Sequence, residues 1–435
     1  MISTIRSLLR GLPAMLVVAA LAFTLPAAVV TVGAQESEQP ERKTRKTPAM
    51  REKTYKQLSE AQVAAEADNF QGAVAILNKL RGDDSLNSYE KAQMYNFYAF
   101  IYYSQDRYND AVRAYENVLA QPDLPEALEN GTIYSLAQLY FQSENYQKSI
   151  EYMERWFRVA NNPGPDPYVI VAQAYYQLKD YRRALPNIET AMRIARQQGK
   201  PVKENWLLLQ RLFYYELNDY AKSEQVLKEL IRLYPKKVYY TQLSATYHEL
   251  NDDKKQLAAL ELAHLQGMLT QGREILNLAQ LYVANGVPYK GATILQEAVD
   301  NNVVEIKESN LRLLSQSWFM AGEYEKAIPP LQRAAQISND GDLYIRLAQS
   351  YLNLEKHADA VEALRAGLQK GGVKRPGDAQ VMLGMSLYEL DRLDQARSAF
   401  TVAANYEGSA RTARQWINHI GNEQTRRAEL ARALN

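Results

Sequence analysis

The four histidines of this 435-residue chain are the first residues to test for chemistry, because imidazole binds metals and transfers protons near neutral pH. Only His248 and His264 fall in neighbouring predicted helices, and neither has a carboxylate at the spacing of a helical metal-binding motif. His357 and His419 are isolated. The chain has no cysteine, which excludes thiolate chemistry and disulfides. The sequence therefore predicts no metal site and polar surface roles for the histidines.

Motifs for phosphate binding and nucleophilic catalysis are also missing from the sequence. Gly371-Gly372 and Gly377 follow no predicted strand, and no lysine stands where a phosphate-binding loop needs one. No serine lies in a G-x-S-x-G motif. The acidic pairs Asp83-Asp84 and Asp252-Asp253 fit helix caps. We therefore predict that the chain is not an enzyme and uses no cofactor.

The strongest pattern is a repeat of small residues, each four positions before a large apolar residue. The repeat recurs every 33 to 39 residues over more than 320 residues, which is typical of helical repeat arrays. Such arrays bind along extended surfaces and seldom catalyse reactions. The ten positions are Ala73, Ala111, Ser149, Ala184, Ser223, Gln256, Gly291, Ala327, Ala360 and Ala396, of which only Gln256 is not small.

Residues 95–118 show how one unit is built. Apolar or small residues recur at helical spacing over 95–102, and a polar turn follows at 104–107. A second helix of the same period is predicted over 108–118. Ala99, which we call the first small position, lies twelve residues before Ala111, and both must be small if the two helices cross closely there.

This unit resembles the tetratricopeptide repeat, and the resemblance covers residues 50–407. It implies an all-α, right-handed superhelical solenoid of about ten helix pairs. No pair can bury its apolar stripe alone, so stability must come from stacking on neighbours. Residues 408–435 keep helical periodicity without the repeat signature. We predict a C-terminal capping helix there, with a basic docking helix as the alternative.

The first 34 residues have the pattern of a secretory signal peptide. Arg6 and Arg10 supply a positive start, residues 12–30 are apolar, and Val32-Gly33-Ala34 predicts cleavage after Ala34. The alternative is an uncleaved membrane anchor, because this apolar stretch is nearly long enough to span a bilayer.

Residues 35–49 are polar and predict a disordered leader. Cleavage would change the formal net charge from +1 to −1, because two arginines and no acids leave with the signal. A nearly neutral exported protein is a poor candidate for nucleic-acid binding. We therefore expect a protein or peptide partner, and membrane contact only through partners or an uncleaved anchor.

In the tetratricopeptide family the first helix of each pair lines a concave groove. The resemblance therefore implies that the residue after the first small position faces this groove, followed by an aromatic residue one turn later. Amides can donate to and accept from a peptide backbone, and aromatic rings add apolar area. The alternative is that both columns serve helix packing. The predicted groove residues are Tyr103, Gln138, Phe141, Gln173, Tyr176, Tyr215, Gln280, Gln316, Phe319, Gln349 and Tyr388.

Residues 236–272 form the poorest copy of the repeat. Asp252–Lys255 replaces the usual aromatic turn, and Gln256 occupies a small position. The sequence favours a loose copy that could act as a hinge.

The chain as a whole resembles exported tetratricopeptide proteins associated with TonB-dependent uptake in Gram-negative bacteria. The resemblance rests on the signal peptide, on residues 50–58 and 89–99, and on the ten-copy length. It implies a periplasmic scaffold for a TonB-type energy-transduction system. A scaffold for secretion, pilus or polysaccharide machinery is the first alternative. A glycan-processing solenoid is the second, and it would require carboxylates converging in the groove.

Overall fold

The computed structural model describes residues 49–434, and its regular structure in this range is entirely α-helical, with twenty-one helices. The predicted signal peptide and leader fall on residues 1–48 and lie outside the described residues, apart from residue 49 of the leader. The chain forms two compact units: unit 1 ends at Val226 and unit 2 begins at Leu227. None of the described helices combines the length and apolar character needed to cross a membrane. The predicted all-helical repeat fold is confirmed.

Over its described residues, unit 1 contains nine complete helices and the beginning of a tenth, arranged as successive antiparallel pairs. They are α1 (Glu52–Glu66), α2 (Phe70–Arg81), α3 (Ser88–Ser104), α4 (Tyr108–Leu119), α5 (Glu126–Gln142), α6 (Tyr146–Phe157), α7 (Pro165–Gln177), α8 (Tyr181–Gln197), α9 (Glu204–Glu216) and α10 (Tyr220–Leu233), which continues into unit 2.

Unit 2 continues the same alternation and ends in one long helix. Its helices are α11 (Lys237–Glu249), α12 (Asp253–Leu265), α13 (Gly272–Ala284), α14 (Pro288–Asp300), α15 (Glu308–Met320), α16 (Tyr324–Ile337), α17 (Asp342–Leu352), α18 (His357–Lys370), α19 (Pro376–Glu389), α20 (Leu393–Ala403) and α21 (Glu407–Leu434).

All ten turns between the first and second helix of a pair have the same backbone. In the α3–α4 turn, Asp106 has φ +56°, and the N–H of Arg107 donates to the carbonyl of Tyr102 at 2.9 Å. A left-handed residue followed by a backbone hydrogen bond that spans six residues defines a Schellman C-cap. The left-handed residues of the ten turns are Asp68, Asp106, Glu144, Lys179, Asn218, Asn251, Gly286, Gly322, Glu355 and Asp391.

The predicted small positions lie where the paired helices cross, and nine of the ten are buried. At Gly291 an added Cβ would sit 2.9 Å from the Ala279 carbonyl oxygen, so the two backbones nearly touch. Gln256 is half-buried. Ser244 occupies the first small position of its pair and donates to the Gln256 carbonyl at 3.0 Å, so a small residue remains on one side of that crossing.

Tyrosines of the first helices connect one pair to the previous pair. The Tyr140 hydroxyl donates to the Glu116 carboxylate at 2.6 Å, and the Lys148 ammonium lies 4.9 Å from the centre of the Tyr140 ring. Tyr282 repeats this arrangement with Glu261 and Lys290 in unit 2. Burial and the neighbouring carboxylate together raise the pKa of each tyrosine. These contacts hold successive pairs together within each unit.

The first half of α21 covers the last helix pair. The Trp416 ring stacks on Phe400 at 5.4 Å, and Ile420 is fully buried. From Thr425 to Arg432 every residue is exposed. The helix therefore packs as a cap would over its first half, and in its second half Gln424 and Arg427 bond to Asp394 and Asp391 of the last pair.

Candidate functional site

The predicted groove aromatics are half-buried, and five of the six contact the first residue of the following helix. Each ring therefore braces the turn described above, which supports the packing alternative for this column. The five pairs, with centroid distances, are Tyr103–Tyr108 (5.9 Å), Phe141–Tyr146 (5.4 Å), Tyr176–Tyr181 (6.3 Å), Tyr215–Tyr220 (5.3 Å) and Phe319–Tyr324 (5.2 Å).

Tyr388 is the exception, because the helix that follows it begins with Leu393 instead of a tyrosine. Its ring contacts Trp416 at 5.2 Å, and its hydroxyl lies 3.0 Å from Nε2 of His419. Helix α21 therefore covers much of this position.

The predicted glutamines separate into three groups. Gln173 is only 4% exposed, because all five residues from Val171 to Tyr175 are buried and α7 has no open face at this point. Its side chain is therefore covered, and its predicted role in partner binding stays a prediction. Gln138 is half-buried. Gln280, Gln316 and Gln349 are exposed at equivalent offsets of three successive first helices in unit 2.

Gln62 occupies the same offset in the first pair, and the groove prediction missed it. It is half-buried and donates to Glu66 at 2.8 Å.

A pocket in unit 2 brings three predicted residues together. Gln316 and Phe319 of α15 and Gln349 of α17 line a cavity of about 320 Å³. Its apolar wall includes Ile345 of α17 and Met382 of α19. Three successive first helices therefore build one concavity, which we call the unit 2 pocket.

Cationic residues of the unit 2 pocket were missed by the sequence analysis. Arg312 lies one turn before Gln316, and Arg346 lies one turn before Gln349. A search one turn in both directions from each glutamine would have found them. Lys374 and Arg375 come from the loop before α19, and no periodicity places that loop.

The charged groups of the pocket differ in how they are paired. Arg312 bonds to Glu308 at 3.0 Å, and Arg375 bonds to Asp378 at 2.6 Å. Neither the Arg346 guanidinium nor the Lys374 ammonium has a carboxylate within 4.0 Å among the described residues. Both side chains are exposed. The pocket thus places two cations that have no carboxylate partner beside the amides of Gln316 and Gln349 and the ring of Phe319.

This arrangement is suited to binding. Over residues 49–434, no group of three or more His, Asp or Glu side chains could hold a metal ion. The carboxylates of the pocket, Asp342 and Asp378, are engaged with their neighbours: Asp342 accepts the backbone N–H of Lys374 at 3.4 Å, and Asp378 pairs with Arg375.

Family models match three segments of the chain. Tetratricopeptide repeat models match residues 212–237 and 345–410, and the model described as anaphase-promoting complex, cyclosome, subunit 3 matches residues 104–191. Two stretches of the chain are therefore similar to tetratricopeptide repeats. The match to residues 345–410 includes most of α17, which lines the unit 2 pocket.

Several solved structures are similar to the chain. The MamA protein is 22% identical, with 39% of this chain and 90% of that chain covered and a TM-score of 0.33. A tetratricopeptide repeat protein from Parabacteroides merdae is 15% identical, covering 61% and 98% with a TM-score of 0.36. YrrB, described as a repeat protein with an unusual peptide-binding site, is 14% identical, covering 42% and 89% with a TM-score of 0.34. No curated protein matches the sequence.

Proposed function

We propose that this protein is a non-enzymatic interaction scaffold that binds an extended segment of a protein partner on the first helices of unit 2. The observation that carries the proposal is the unit 2 pocket, in which three successive first helices place Gln316, Phe319 and Gln349 around one concavity. A surface built by successive repeats suits a chain that runs across them.

The chemistry of these side chains fits a peptide. A glutamine amide offers both a donor and an acceptor, so it can pair with a backbone amide of an extended segment. Phe319 is half-buried and fixed by Tyr324, so covering its remaining surface costs little rotamer entropy. Affinity would come from a few contacts with each of the successive first helices.

We further propose that the scaffold works in the periplasm as an accessory of a TonB-type outer-membrane transport system. The signal-peptide pattern of residues 1–34 and the whole-chain resemblance support this proposal. A scaffold for secretion, pilus or polysaccharide machinery is the alternative, and the same export signal would serve it.

The pocket's role is tested by crosslinking and pull-down of the tagged full chain from native envelopes, with mass spectrometry of the captured proteins. The double variant Gln316→Ala/Gln349→Ala should lose most of the captured partner. The control variant Gln336→Ala/Gln369→Ala removes two exposed glutamines from the second helices of the same pairs. Equal capture by both variants would place the binding surface elsewhere.

The identity of the captured proteins tests the assignment to a transport system. Recovery of TonB-like or inner-membrane motor proteins, lost in the pocket variant, would support the transport role. Recovery of secretin, pilus or glycan-polymerase components would favour the alternative scaffold. Cell fractionation tests the location, since a processed chain in the periplasmic fraction is expected and a cytoplasmic chain would overturn the export proposal.

A further inference from the structure

We propose that the unit 2 pocket binds the side-chain carboxylate of an acidic residue within the partner's extended segment. This inference rests on the proposed function and specifies its ligand chemistry. The inference rests on two cations without a carboxylate partner, Arg346 and Lys374. They line one cavity from α17 and from the loop before α19.

Arg346 and Lys374 together are suited to binding an anion. Arg346 presents a planar guanidinium, which can hold a carboxylate through two parallel hydrogen bonds. Lys374 adds a compact positive charge to the same cavity from the loop before α19. Gln316 and Gln349 supply amide donors beside them. A carboxylate in this pocket would meet donors from three elements.

The acids in and beside the pocket offset only part of its positive charge. Asp378 pairs with Arg375, and Glu308 at the rim pairs with Arg312. Asp342 accepts a backbone N–H from residue 374. Four cations therefore face three acids, and all three acids already have partners. The remaining positive charge favours an anionic guest.

The exposed residues on both sides of the pocket favour binding of an internal residue of the partner over binding of its chain end. Gln280 in α13 and Met385 in α19 hold the same offset as Gln316 and Gln349, and both are exposed. Exposed residues at this offset therefore continue on both sides of the pocket, so a bound segment could extend in both directions. Phe319 and Met382 would contact apolar residues next to the acidic one.

The test uses three nine-residue peptides and fluorescence anisotropy with the full chain. The first carries one central glutamate flanked by leucines and is blocked at both ends. The second has glutamine at the centre, and the third has that glutamine with a free C-terminal carboxylate. We expect the first to bind about tenfold more tightly than the second, because a charge-assisted hydrogen bond is stronger than a neutral one. The preference should weaken as salt is added.

Two double variants test whether the preference for glutamate depends on Arg346 and Lys374. Arg346→Gln/Lys374→Gln should remove the preference for glutamate. The control Arg333→Gln/Arg397→Gln removes two exposed cations from second helices and the same total charge, and it should keep the preference. Circular dichroism melting checks that both variants fold.

Three outcomes would overturn the inference: equal binding of the first two peptides, tighter binding of the third peptide than the first, or the same loss in both variants. None of these outcomes decides the scaffold role. That role stands if capture of the native partner still depends on Gln316 and Gln349, and fails if it does not.

Discussion

Glu90 shows how one side chain can anchor the start of a repeat array. Its side chain is fully buried, yet it accepts hydrogen bonds from the Arg51 guanidinium at 2.7 Å and from the backbone N–H groups of Arg51 and Asn87 at 3.0 Å. Burial alone would raise the pKa of this carboxyl, but the hydrogen bonds outweigh it and lower the pKa to about 2. The ionised carboxylate ties the start of α1 to the start of α3.

Glu90→Gln should therefore destabilise unit 1 by about 1–3 kcal/mol at neutral pH, because it weakens charged hydrogen bonds in a buried place. The folded-state pKa lies below the unfolded value of about 4.5. The contribution of Glu90 is thus present above that value and is lost as pH falls towards 2. Denaturant unfolding at pH 7, 4 and 2.5 should show the variant and the wild type converging as pH falls. A pH-independent difference would contradict the assigned charge.

Gly384 holds the first small position of the last pair, and its lack of a side chain is required. An added Cβ would lie 2.7 Å from the ring of Phe400, which is fully buried. Gly384→Ala should therefore cost about 1–3 kcal/mol through overpacking. Gly421→Ala is the control, because nothing lies within 4 Å there and alanine should raise stability by up to about 1 kcal/mol. Thermal unfolding of both variants checks the sign, and equal shifts would refute the crossing geometry.

At the scale of elements, the sequence predicts whatever one repeat determines by itself. The small positions and polar turns are visible because the same steric demand recurs ten times, as Ala99, Asp106 and Ala111 illustrate. The unit 2 pocket was only partly predictable. Its glutamines follow from the offset, whereas Lys374 comes from the loop between α18 and α19, whose backbone bonds to residues at the start of α17.

The same limit applies to Gln173, which is buried although its offset predicts a position on the groove. Its offset equals that of Gln316, but every residue around that turn of α7 is covered. Periodicity assigns a residue to a helix face, and only the neighbouring helices determine whether that face is open.

Helices α11 and α12 retain the unusual features of the poorest copy. Gln256 is half-buried at a crossing, and α12 leaves Leu262 and Leu265 exposed at 51% and 73%. A helix that buries less apolar surface opens at lower free energy. We expect amide hydrogen exchange in α11 and α12 to be at least about tenfold faster than in α15 and α16. Uniform protection across these four helices would remove the hinge hypothesis.

Within unit 2 the repeats form a linear array, so each pair is stabilised mainly by its neighbours. The last pair has a neighbour on only one side within the array, and α21 supplies the other side. Trp416 stacks on Phe400, and Ala413 and Ile420 are fully buried against the same cluster. The stability of the C-terminal repeats therefore depends on a segment that carries no repeat signature.

Trp416→Ala should cost about 2 kcal/mol, since the ring is half-buried and leaves a cavity above Phe400. In a linear array this loss should be graded along the chain. Hydrogen exchange should accelerate most in α19 and α20, less in α17 and α18, and least in α13 and α14. Arg414→Ala is the control, because Arg414 is exposed on the same helix and its removal should change little. Equal acceleration in all six helices would mean that they unfold as one cooperative block, and that α21 stabilises them all instead of capping the last pair.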